Sequence, residues 1–179
     1  MIDAYLLRRI LYALGFLLIS AIVLFTRMLP LDMGPGGFAP PDLILCFAFA
    51  WSVRRPDYLP VLLVAAVLVI ADMLTLSAPF IAPFLAIIAI EALRARRVQL
   101  ADQGFGVEWA TVAVVVVLMM LAERLILGVF LVPQPAFGLS LMEAVVTVVF
   151  YPIVVLISTL GLRVEWLKPG SIDPEAHVA

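Results

Sequence analysis

One histidine and one cysteine leave this chain of 179 residues with little of the usual equipment for catalysis, and Asp, Glu, Lys and Arg together make up only 13% of it. The histidine, His177, lies at the polar C-terminal end, so the commonest general base and zinc ligand is missing from the apolar body. Cys46 has no second cysteine to pair with, which rules out an internal disulfide and a thiolate metal cage. There is no HExxH for metal hydrolysis and no GxSxG nucleophile elbow. The GPGG of residues 34–37 is not followed by Lys and Ser or Thr, so it is no phosphate loop. An intramembrane acid protease needs two cooperating aspartates. Asp42 and Asp72 are the candidates, and neither sits in a supporting motif. These absences predict a protein that is not an enzyme and that carries no cofactor and no metal.

What the chain has in abundance is hydrocarbon. It is 65% apolar, with a mean hydropathy of +1.21. Soluble domains are about 45–50% apolar and about 25% charged. A chain this short has too much surface for its volume to hide so many apolar side chains from water. The solvent must be lipid, and the expected fold class is an all-α integral membrane protein of about six transmembrane helices. The spans fall at residues 10–25, 42–53, 58–76, 80–93, 109–132 and 137–162, within one domain over 1–162. The first follows Arg8 and Arg9 without a clean small-residue cleavage site, and reads as a retained anchor. Residues 31–41, with their Gly and Pro, form a breaker linker. Asp42 opens the second span, where a carboxylate suits the helix dipole. That span reaches about 18 Å, short of the roughly 30 Å hydrocarbon core. The linker then either dips among neighbouring helices or the span covers part of the depth. Residues 101–106, with Asp102 and Gly104, read as a loop, and 163–179 as a polar tail.

Basic residues set the orientation. Arg8, Arg9, Arg54, Arg55, Arg94, Arg96, Arg97, Arg163 and Lys168 fall on one side of a six-span path, and cytoplasmic loops collect such residues. Both termini are therefore expected in the cytoplasm, with Arg27 opposite and Arg124 inside the fifth span. The two arginine turns, Arg54-Arg55 and Arg94 to Arg97, need no more than this bias to explain them, and contact with anionic lipid or cytoplasmic partners is the sharper alternative.

Charges within spans are functional candidates by default. Asp72 is the most isolated, with Arg27 or another polar group at the same end as the expected partner. Glu91 precedes Arg94 by three residues and should pair with it locally. Glu123 and Arg124 point about 100° apart on a helix and must reach different neighbours. Glu143, near the start of the last span, is expected to be wet.

Residues 41–60 read PDLILCFAFAWSVRRPDYLP. This resembles the MreD family of rod-shape-determining proteins, through Pro41, Asp42, Leu43, Trp51, Arg54, Arg55 and Pro56. Downstream the family pattern carries an aspartate flanked by glycines; Asp72 matches it, and both glycines are missing. The stretch from Glu91 to Arg96, Val107-Glu108-Trp109 and Tyr151-Pro152 look like the alphaproteobacterial branch. The resemblance covers most of the chain. It implies a non-catalytic inner-membrane subunit of the machinery that elongates peptidoglycan and sets cell shape. The implied partners are MreC directly, and RodA, a class B penicillin-binding transpeptidase and the MreB filament at one remove. The single transmembrane helix of MreC would dock on an outer helical face, with the 31–41 linker meeting its periplasmic portion. The implied fold is similar to the substrate-binding subunits of energy-coupling-factor vitamin transporters, which makes a small-molecule binding or transport subunit the alternative. Asp42, Asp72 and the linker speak for that alternative; the scarcity of other polar residues in the outer half speaks against it.

Overall fold

In a computed structural model of the chain, residues 4–29, 40–75 and 80–160 are described. Most of the 31–41 linker, the Ser77-Ala78-Pro79 turn and the tail with Arg163, Lys168 and His177 lie outside the described residues. The described residues form seven helices: α1 (Ala4–Met28), α2 (Leu43–Arg54), α3 (Val61–Leu74), α4 (Ile81–Ala95), α5 (Arg97–Gln103), α6 (Phe105–Val129) and α7 (Phe137–Leu160). Three stretches, Leu6–Met28, Phe105–Val129 and Phe137–Leu160, are long and apolar enough to cross a membrane; α2 and α3 are apolar but shorter.

The helix ends have local causes. Asp42 caps α2, its side chain accepting the Leu45 amide at 3.2 Å. Pro41 stands just before that cap. At the far end Arg55 precedes Pro56, and a residue before proline is driven out of the helical region. The expected loop at 101–106 is mostly helical. Gly104, at φ 82°, is the sharp break between α5 and α6, a backbone conformation that glycine adopts freely. α6 stops at Val129 rather than 132. The Val132 amide bonds to Leu127 and the Leu131 amide to Gly128, with Leu131 left-handed at φ 53°. That is the paired hydrogen-bond closure usually built on glycine.

α7 carries Pro152 in its interior. Proline has no amide to donate, so the carbonyl four residues back, on Val148, loses its helical partner. The indole of Trp109 on α6 donates to that oxygen at 2.9 Å. In lipid there is no water to do this instead.

α2 is the hub. Every residue from Ile44 to Arg54 is buried, and the helix packs against α7, α4 and α1. α2 runs parallel to α7, since Asp42 meets Thr147 and Trp51 meets Ser158. α6 runs antiparallel to α7, with Glu108 against Tyr151 and Arg124 against Ser140. α1, α6 and α7 turn most of their Leu, Ile, Val and Phe outward, Leu18, Leu125 and Val149 among them. Apolar burial gains little between helices in lipid, so the bundle must be held by close packing and by its polar contacts.

Candidate functional site

The polar residues that α2 positions gather at its two ends. At the C-terminal end the guanidinium of Arg54 donates from Nη2 to Glu108 Oε2 at 2.9 Å, and the Tyr151 hydroxyl donates to Oε1 at 2.6 Å. Arg54, Glu108 and Tyr151 are all buried, at 4%, 1% and 0% exposure. Each oxygen of Glu108 therefore has its own donor, which is what a carboxylate withdrawn from water requires. One turn back, the Trp51 indole donates to Ser158 Oγ at 3.0 Å. The rings of Phe16, Phe47 and Tyr12 surround Trp51 at centroid distances of 6.0, 6.4 and 5.9 Å. Tyr12 also stacks on Tyr58 at 4.8 Å.

This places the sequence candidates unequally. Trp51 and Arg54 are anchors of the interior. Arg54 is thus withdrawn from the surface turn that was to meet lipid or cytoplasmic partners, because Glu108 takes its charge. Arg55 is half-buried with its guanidinium 5.4 Å from the Tyr58 ring. Glu91 pairs with Arg94 at 3.3 Å, as the spacing predicts. Arg94 does more than that: its second nitrogen donates to the Leu59 carbonyl at 2.7 Å and ties α4 to the α2–α3 turn. Glu108, Tyr151, Ser158 and Thr147 are structural residues that the analysis of charge and periodicity missed. The available signal was the Glu108-Trp109 pair at the head of an otherwise apolar helix.

At the N-terminal end of α2 the arrangement is open. A cavity of about 690 Å³ lies among the ends of α1, α2, α3, α4, α6 and α7. Asp42 stands in its wall. Its amide donates to Thr147 Oγ1 at 2.9 Å, and its carboxylate meets Arg27 at 3.5 Å. Arg27 donates also to the Pro41 carbonyl at 2.9 Å. Arg27 therefore serves Asp42 and not Asp72, correcting the expected partnership. Asp72, Glu123 and Glu143 line the same cavity. None of their carboxylates has a hydrogen bond or ion pair with a described residue, and one Asp72 oxygen, Oδ2, is fully buried. Arg124 turns away from Glu123, as the helix geometry requires. It donates to Ser140 Oγ at 2.9 Å and to the Pro135 carbonyl at 3.2 Å, and lies 5.2 Å from the Phe137 ring. The Asp42 end is consequently richer in polar groups than expected. Thr147, Ser140 and Gln134 join the charged residues around the cavity.

The Tyr151 hydroxyl that meets the Glu108 carboxylate is fully buried. The Cys46 thiol is buried and donates to the Thr147 carbonyl at 3.3 Å. Among the described residues no group of three or more His, Cys, Asp or Glu is placed to hold a metal ion. Helix length, apolar composition and outward-facing hydrocarbon together make the chain an α-helical membrane protein. No protein-family model, curated protein or solved structure matches it.

Proposed function

We propose that this chain is a non-catalytic, multi-pass inner-membrane subunit of the rod complex, similar to MreD, that binds MreC and helps control peptidoglycan elongation and cell shape. The observation that supports this reading most is where the resemblance residues fall. Asp42, Trp51, Arg54, Glu108, Trp109 and Tyr151 are scattered along the chain and interlock around α2. A motif spent on holding helices together suits a scaffold better than an enzyme. About six crossings, with α5 lying along the cytoplasmic face and both termini inside, accommodate this fold and the basic clusters. A reporter fused after Lys168 and active only outside the cell would sink that topology.

A docking face for MreC is available on α1. Leu7, Leu11, Leu14, Leu18 and Phe25 are exposed at alternating spacings of three and four residues, with Ala21 completing the series. That is the seam along which a second helix packs. The deciding experiment is a mild-detergent pull-down from native membrane. Near-stoichiometric MreC with the wall-synthesis enzymes is the expected outcome. A pair of ATPases with a coupling membrane protein would overturn the rod-complex reading.

That second outcome belongs to an alternative reading, a small-molecule binding subunit like those of vitamin transporters. One observation favours it, the cavity of about 690 Å³ at the Asp42 end. Ligand sites in proteins run from about 300 to about 1,000 Å³.

A further inference from the structure

We propose that the cavity at the Asp42 end of α2 binds an organic ammonium ion with an apolar body. This rests on the reading of the cavity as a ligand site and names the chemistry it selects. The arginine donors that the structure shows are directed at the protein itself: Arg27 at Asp42 and the Pro41 carbonyl, Arg124 at Ser140 and the Pro135 carbonyl. The acceptors are different. The carboxylates of Asp72, Glu123 and Glu143 face the cavity and bond to no described residue. The unmet demand is for hydrogen-bond donors and positive charge.

Among the described residues no three carboxylates converge as the coordination shell of a bare metal ion does. They stand apart around a space that holds many atoms, which suits a cation carried on a carbon skeleton. The rest of the wall supplies the matching surface. Leu68, Val116, Met119, Met120 and Ala86 line it, and methionine adapts to irregular apolar shapes. The occupant is therefore amphiphilic, with an ammonium at the Asp72–Glu123 wall and hydrocarbon against the methionines. Such an ammonium is found on free amines in the outer aqueous phase and on the headgroups of aminophospholipids.

The test uses the full chain in mild detergent with hexylammonium as probe and hexanesulfonate and hexanol as controls. Hexylammonium should raise the thermal unfolding midpoint and bind about ten-fold or more tightly than either control. The Asp72→Asn, Glu123→Gln double variant should erase that difference, while Glu91→Gln at the opposite end should keep it. A measurement on the unaltered protein guards against misfolding of the double variant. Carbodiimide modification of Asp72 and Glu123 should be slowed by hexylammonium and untouched by hexanesulfonate. Equal binding of all three probes would overturn the ammonium assignment and leave a ligand cavity standing. Binding of none would overturn both. Native mass spectrometry separates the two sources. An aminophospholipid that co-purifies and is displaced by hexylammonium places the cation on a lipid, and hexylammonium binding without lipid release places it on a soluble amine. Co-purification of an anionic lipid that only hexanesulfonate displaces would count against the proposal.

Discussion

Arg54 and Glu108 meet at 2.9 Å at one end of α2, with Tyr151 completing the set. At the other end the carboxylates of Asp72, Glu123 and Glu143 bond to no described residue. The same residue types thus play opposite parts at the two ends of α2. The difference follows from length. α2 has 12 residues, about 18 Å of helix, beside neighbours of 24 and 25 residues. Its C-terminal half is enclosed by α7, α4 and α1, and every charge there must find a protein partner. At its N-terminal end residues 40–42 are not helical, and a cavity lies there among the described residues. Buried ion pairs are weak evidence for stability, since desolvation opposes the attraction, but a pair with one member removed is costly. The closed end is therefore a fastening that tolerates no partial loss, and at the open end Asp72, Glu123 and Glu143 are lining charges that the fold does not need.

The sharpest way to break this comparison is Glu108→Ala. It leaves the Arg54 cation buried and the Tyr151 hydroxyl unpaired, and should lower stability by about 3–5 kcal/mol. Unfolding by SDS in mixed micelles would measure it. The Arg54→Met, Glu108→Leu double variant should recover most of the loss, because both charges leave together; a double variant as weak as the single would refute the fastening. Trp109→Phe keeps the ring but withdraws the donor from the Val148 carbonyl that Pro152 orphans. A loss of about 1–2 kcal/mol is expected by the same assay. The cost should fall sharply when Pro152→Ala is combined with it, since an alanine amide restores the helical bond. Asp42→Ala removes the cap of α2 and the partner of Arg27, and should cost about 1 kcal/mol. Asp42→Asn should retain most of that, since an asparagine caps as well. At the open end Asp72→Asn with Glu123→Gln should change stability by no more than about 0.5 kcal/mol in the absence of ligand. A large loss there would mean that the cavity carboxylates are structural after all.

Local features were legible and distant pairings were not. The Asp42 cap and the Glu91–Arg94 pair involve residues three apart, and the chain alone displays them. The divergence of Glu123 and Arg124 follows from helical pitch. Arg54 and Glu108 are 54 positions apart, and nothing in the spacing of charges marks them as partners. Positive-inside bias even points Arg54 outward, because Arg54 and Arg55 count alike in it. Only packing separates them, by turning Arg54 into the bundle and leaving Arg55 half-buried over Tyr58. The polarity of the cavity was underrated for a related reason. Its lining comes from six helices, each of which contributes a residue or a few, so no stretch of sequence is polar enough to notice.

The sequence by itself determined the solvent and most of the helices. Hydropathy is summed over neighbours along the chain, and a chain 65% apolar with caps, prolines and glycines at its breaks has no other stable arrangement. Tertiary structure decided which charges are satisfied and which are left facing a cavity. That choice depends on which helices become neighbours and at what depth, and hydrogen bonds form only between groups that packing brings within about 3 Å.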